Sequence, residues 1–145
     1  MQLTKQTDIS LRVLMHLAVF PDRLSTVREI ATDYRVSQNH LVKVVHRLAG
    51  LGYIDSVKGR NGGIKLAKPD TEITVGQVIR DMEMTLEVID CTNCPLTIGC
   101  LLKRALNEAT TAFVEVLDGY TIADLIVNKN RILAVVRPGL QSAQG

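Results

Sequence analysis

Cysteine is scarce in this 145-residue chain, and the odd total of three rules out a fully paired disulfide framework. Long apolar runs are missing too. The first hydrophobic stretch, residues 13–20, is broken by His16 and closed by Pro21, too short for a membrane span or a secretory core. There is no internal repeat, and the one low-complexity segment is the polar end at 141–145. Also absent are a Gly-Lys-Ser/Thr phosphate loop, a cofactor fingerprint, paired catalytic carboxylates and a nucleophile–base constellation. These absences argue against a disulfide-stapled secreted module, a membrane protein and an enzyme. They leave a protein expected in the reducing cytoplasm, with no membrane partner.

The cysteines that are present stand together, in Cys91-Thr-Asn-Cys94-Pro-Leu-Thr-Ile-Gly-Cys100. Thiols serving only as small buried hydrophobes have no reason to gather on one loop, so a shared ligand is expected. Charge is segregated as well. Residues 1–70 hold 11 Lys/Arg against 6 Asp/Glu, net +5, while residues 71–145 hold 6 against 9, net −3. A basic half followed by a mildly acidic one suits a nucleic-acid-binding module joined to a sensing or assembly module.

The apolar periodicity predicts helices interrupted once by a hairpin, a mainly α fold with a small β wing. A first helix is expected from about Asp8 to Phe20, with Leu11, Leu14, Leu17 and Ala18 facing inward. Thr26 is expected to cap a short helix over 27–34 and to form a capping box with Glu29. After a turn at Arg35 and Val36, Ser37 is expected to cap a second helix, 38–49, burying Leu41, Val44, Val45 and Leu48. Its other face carries Gln38, Asn39, His40, Lys43 and Arg47. In a recognition helix, Gln and Asn at the N-terminal end pair with adenine, and Lys with guanine or phosphate. These residues alone fit a solvated helical hairpin nearly as well.

The segment after this helix favours DNA. Two β-prone runs, 53–57 and 64–66, flank Lys58-Gly-Arg60-Asn61-Gly62-Gly, a basic, glycine-rich hairpin tip suited to phosphate or the minor groove. Helix, turn, helix and hairpin make a winged helix. Pro69-Asp70 marks the expected end of this unit, giving a DNA-binding domain at 1–70. Thr74 is expected to cap a helix over 75–82. From Leu101 a longer helix carries Leu102, Leu106, Ala109, Phe113 and Val116 at spacings of four, three, four and three, close to a coiled-coil seam. The expected arrangement is a cysteine loop with dimerisation helices at 71–127 and an extension at 128–145, flexible at its end. A homodimer suits a palindromic operator on double-stranded DNA.

The opening Leu3-Thr-Lys-Gln-Thr-Asp8 with Leu11-Arg-Val-Leu14, the segment Val36-Ser-Gln-Asn-His-Leu-Val-Lys43, the wing Val57-Lys-Gly-Arg-Asn-Gly-Gly63 and three cysteines before a long helix resemble the Rrf-two (Rrf2) family of winged-helix regulators. The likeness reaches to about Leu125 and is strongest to the family's nitric-oxide-responsive repressors. It implies an iron–sulfur cluster, 4Fe–4S ahead of 2Fe–2S, held by Cys91, Cys94 and Cys100, and a dimer built through the long helix. It also implies a fourth, carboxylate ligand from the first helix of the opposite subunit, a position matched by Asp8. Taken alone, an Asp at a helix start reads as an N-cap. The family's cluster-assembly regulators use a histidine three residues after the last cysteine, where this chain has Lys103.

One departure is the tight spacing of Cys91 and Cys94, which also suits zinc. Zinc ranks second, because its fourth ligand would have to come from His16, His40 or His46, two of them on the recognition helix. The expected function is a cluster-controlled transcriptional repressor sensing nitric oxide. The alternatives are an iron or redox-status regulator of the same fold, a small iron–sulfur redox protein, and a metal-free dimerisation protein.

Overall fold

The structure, a computed structural model, describes residues 2–96 and 98–137. In chain order its elements are α1 (Lys5–Val19), α2 (Val27–Tyr34), α3 (Gln38–Gly50), β1 (Ile54–Val57), β2 (Gly63–Leu66), a 3-10 turn (Asp70–Glu72), α4 (Val75–Met82), α5 (Leu101–Asp118), α6 (Ile122–Leu125) and α7 (Lys129–Val136). No helix among the described residues is long and apolar enough to cross a membrane.

The first helix begins earlier than its apolar periodicity suggests. Thr4 is the N-cap, its hydroxyl accepting the Thr7 amide. Asp8 is therefore not a cap. Its amide already donates to the Thr4 carbonyl at 3.1 Å, and its carboxylate sits in the first turn, where the helix dipole favours negative charge. The polar opening turn had hidden this start. Nor does α1 bury a single stripe. Ile9, Val13, Leu14, Leu17, Ala18 and Val19 are all buried, with Thr7, Ser10 and His16, while Leu11 is only partly covered. The reason is position, since α2, α3, α4, α6 and β2 all pack on α1.

In α2 the cap forms as expected, with the Glu29 amide donating to Thr26 at 3.1 Å. The capping box does not, because the Glu29 carboxylate is taken by Arg23 at 2.8 Å. The chain turns into α3 through Arg35, in the left-handed region at φ 54°. Ser37 holds the N-cap position of α3 but makes no side-chain cap bond. The buried row of α3, Leu41, Val44, Val45 and Leu48, is the one its periodicity gives.

β1 and β2 pair antiparallel, from Ile54 opposite Leu66 to Val57 opposite Gly63. Gly62 is obligatory at the tip, where a Cβ would lie 2.1 Å from the Val57 carbonyl oxygen. Ser25 and Ile64 exchange two backbone bonds of 2.9 and 2.8 Å, so the wing is pinned to the entrance of α2.

The core continues across residue 70, because Ile73, Val78, Met82, Ile122 and Ile126 share one cluster with the buried faces of α1 and α3. Thr74 caps α4, and α4 carries α5 by a close approach. A Cβ on Gly76 would stand 2.8 Å from the Val114 carbonyl oxygen and 2.0 Å from an Asp118 carboxylate oxygen. Beside it Arg80 grips Asp118 through two bonds of 2.6 Å. Neither α6 nor α7 was expected from periodicity. Both are short, and α6 is held by a capping box between Thr121 and Asp124. The expectation of a flexible end falls largely on 138–145, outside the described residues.

Gly76→Ala is expected to force α5 away from α4, destabilising the fold by about 1–3 kcal/mol as overpacking does. The urea midpoint measures this, and an unchanged midpoint contradicts the close approach.

Candidate functional site

On α3 the side chains of Gln38, Asn39, His40 and Lys43 are exposed. None has an intramolecular partner among the described residues, and the same holds for Ser37, Lys58, Arg60 and Asn61. These donors, acceptors and cations stand free toward solvent on two elements that are fixed to each other. β1 follows α3 directly, and Tyr53 at the join is buried, its ring beneath the Lys68 ammonium at 4.7 Å. Gly62 folds the tip, donating its amide to Gly59 at 3.0 Å.

Arg47 stands apart from this set. Its guanidinium donates to the Asp81 carbonyl at 3.0 Å and reaches the Gln6 side chain at 3.5 Å. Asp81 also accepts from the Tyr53 hydroxyl and the Gln77 amide. Burial, the Asp81 hydrogen bond and the carboxylate's charge all hold the Tyr53 hydroxyl in its protonated form, with its pKa raised well above the ordinary tyrosine range. Two residues on, Glu83 accepts from the Thr4 amide at 2.7 Å, the Thr4 hydroxyl at 3.0 Å and the Thr7 hydroxyl at 2.6 Å. Burial opposes its charge, yet these bonds hold the Glu83 carboxyl below its usual range. The end of α4 is thereby tied to α1, to α3 and to the root of the wing. Sequence patterns gave no sign of this knot, which unites residues up to 79 positions apart.

Beyond Glu83 the chain enters the cysteine loop. Cys91, Cys94 and Cys100 are free thiols of intermediate exposure. The Cys94 amide donates to the Cys91 carbonyl at 3.2 Å, Asp90 caps the same turn through Thr92, and Cys100 is the N-cap of α5. Three soft sulfur donors on one loop fit an iron–sulfur cluster or zinc by donor chemistry. As they stand the sulfurs do not form a coordination shell, and no group of three or more His, Cys, Asp or Glu close enough to hold a metal ion occurs among the described residues.

Asp8 lies elsewhere. Its exposed carboxylate pairs with Arg12 at 3.0 Å on the rim of a cavity of about 840 Å³ walled by α1, α2, α6 and α7. No cysteine lines that cavity, and no metal-holding group of Asp8 with the cysteines occurs among the described residues of one chain. The candidate zinc histidines are also apart from the cysteines. His40 and His46 are exposed on α3. His16 is 1 % exposed, packed by Phe20 and Tyr34, with Nε2 3.5 Å from Glu29 and Nδ1 3.9 Å from Asp33. Arg137, just past α7, closes this box with bonds of 2.6 and 2.9 Å to Asp33.

Helix, turn, exposed polar helix and basic hairpin define a winged-helix regulator that works on DNA. The family model described as "Rrf2: Iron-dependent Transcriptional regulator" matches residues 3–128, and the chain belongs to the Rrf2 family. It is 46 % identical over 143 residues to the HTH-type transcriptional regulator NsrR of Shouchella clausii, covering 94 % of this chain and 96 % of that one. To NsrR of Bacillus subtilis it is 42 % identical over 143 residues, covering 94 % and 98 %. Among solved structures it resembles CymR (YrzC), the global cysteine regulator of B. subtilis, with a TM-score of 0.73 and 26 % identity over 86 % of this chain and 95 % of that one. T. potens IscR shares the fold, with a TM-score of 0.73 and 24 % identity over 89 % and 88 %. The chain is a transcription regulator, not an enzyme.

The His16 box makes stability depend on pH. Burial depresses the His16 pKa below 6.5, outweighing Glu29 and Asp33, which favour the charged ring, and Arg137 adds to the depression. The unfolded chain then binds more protons than the folded one as pH falls through about 6.5, so stability drops in that window. Urea midpoints at pH 7.5 and 5.5 should differ in the wild type and converge in His16→Phe. Equal slopes in the two proteins would refute the assignment.

Proposed function

We propose that this chain is a homodimeric repressor of the reducing cytoplasm whose grip on a palindromic operator is set by an iron–sulfur cluster and released by nitric oxide. The observation that carries the reading is the gathering of three free thiols on the loop that joins α4, tied to the DNA-binding helices, to α5, the candidate seam. Two of the seam positions, Leu102 and Val116, are 61 % and 64 % exposed. Val114 is the one residue of this 18-residue helix buried by its own chain. Leu102, Ala109 and Val116 are exposed along this row while Leu106 and Phe113 are partly covered, and the exposed apolar positions fit a second copy.

Gln38, Asn39, His40 and Lys43 read base edges, with Ser37 at the groove's margin. Lys58, Arg60, Asn61 and Gly62 hold the backbone or minor groove. Arg47 serves DNA binding by holding α3 in place. Cys91, Cys94 and Cys100 hold a cluster, 4Fe–4S by the chain's likeness to NsrR, and Asp8 of the partner subunit supplies the oxygen donor. Such a cluster, when bound, would supply iron open to nitric oxide, most readily where an oxygen donor rather than a thiolate holds it. An Asp8 not engaged by the partner's loop would pair with Arg12, as it does in the single chain, and the tilt between the two recognition helices would then differ. The iron-dependence in the family's description favours iron status as a second signal.

Each of Cys91→Ala, Cys94→Ala and Cys100→Ala is expected to lose the visible absorption of anaerobically purified protein and to bind operator more weakly, while remaining a dimer. Asp8→Asn should keep the absorption but alter its decay on nitric oxide addition. Since Thr4 does the capping, the stability of this variant should be little changed. Normal gas kinetics in Asp8→Asn contradict the cross-subunit ligand, and normal absorption in any cysteine variant removes that cysteine. Iron starvation without nitric oxide tests the second signal.

On DNA, Gln38→Ala, Asn39→Ala and Lys43→Ala should relax base discrimination. Arg60→Ala should weaken binding to all sequences and lower the slope of log K against log salt by about one. Equal losses on operator and random duplex for all four would refute the division of labour.

A further inference from the structure

The outward face of α3 holds one large apolar side chain, Val42, 50 % exposed. Helix geometry sets it among the proposed reading residues: Gln38 lies one turn before it, and Asn39 and Lys43 flank it, with His46 one turn after. It takes no part in the buried row of Leu41, Val44, Val45 and Leu48. A β-branched residue on a solvated helix face gains nothing in helix propensity over Lys, Gln or Glu. Among the described residues none of these polar neighbours has an intramolecular partner, and Val42 itself stays half exposed.

In the major groove every hydrogen-bonding feature can be met by polar side chains, but the C5 methyl of thymine is met only by apolar contact. We propose that Val42 is a specificity-determining residue that packs on a thymine methyl in each half-site. The inference rests on α3 being the reading helix, and it adds a base identity to it. Gln38 and Asn39 at the helix start and Lys43 beside Val42 place hydrogen-bonding readout on either side of the apolar contact. The expected half-site therefore has a thymine bordered by purines presenting N7, adenine toward Gln38 or Asn39 and guanine toward Lys43.

The test uses the anaerobically purified dimer and duplexes selected by it from a randomised pool. Each thymine of the selected sequence is replaced singly by deoxyuracil, which removes the methyl and leaves base pairing intact. One thymine per half-site is expected to lose about fourfold in affinity, the effect of deleting one buried methyl. With Val42→Ala that loss should vanish, while Val42→Thr, which keeps the branched shape and one methyl, should retain most of it. Gln38→Ala should weaken binding yet leave the methyl effect intact. A sequence-selective protein with no methyl-sensitive thymine, or one whose methyl effect survives Val42→Ala, overturns the proposal alone. If affinity and selectivity are indifferent to Gln38, Asn39, Val42 and Lys43 together, α3 is not the reading helix and the proposal falls with that reading.

Discussion

Five elements of this molecule pack on α1, a helix covered on most of its circumference. It contacts α2 and α3 of the DNA-binding unit, β2 of the wing, and α4 and α6 on the acidic side. So enclosed a helix must satisfy its polar side chains internally. Thr7 donates to Glu83, Ser10 to the Gln6 carbonyl, and His16 lies against Glu29. Close-packed cores do not deform continuously. Displacement at one face of α1 is therefore passed to the others. The basic and acidic halves distinguished by charge are thus packed on one shared helix.

How much of this was legible in the sequence depends on how local the cause is. The buried row of α3 and the caps at Thr26 and Thr74 are set within a few residues, and pattern reading found them. So is the start of α5 after Cys100. The true start of α1 was missed because Lys5, Gln6 and Asp8 carry no apolar signal, although Thr4 is an ordinary cap. The Glu29 box failed through competition, since Arg23 offers the carboxylate a charged donor that a backbone amide does not match. α6 escaped because four residues are too few to show a period, and α7, as long as α2 and α4, lacks the side-chain N-cap that marks the start of each of those.

The candidate site divides in the same way. Its chemistry was legible: clustered thiols, a helix presenting Gln, Asn and Lys, a glycine-rich basic tip. Its mechanics were not. Arg47 has the composition of a DNA contact, and only the fold turns its guanidinium to the end of α4. Asp81 and Glu83 look like ordinary surface acids, and only the fold sets them against Tyr53, Arg47, Thr4 and Thr7. The cysteine loop has few bonds of its own, so the geometry its ligands would adopt is not fixed by local residues.

The placement of α4 gives that knot its meaning. On one side Gly76 and the Arg80–Asp118 pair fasten α4 to α5. On the other Asp81 and Glu83 fasten its last turn to the recognition helix, the wing and the cap of α1. The cysteine loop leaves α4 directly after this second attachment and returns at the start of α5. A ligand that draws the loop together thus pulls between two anchors of one short helix. Anything it does to the angle between them reaches α3 through side-chain bonds, without passing through a flexible linker. Coupling is reciprocal in equilibrium terms. On the proposed reading, DNA that fixes α3 and the wing would bias the loop toward the conformation the ligand selects, through Arg47 of α3 directly and through Glu83 by way of α1.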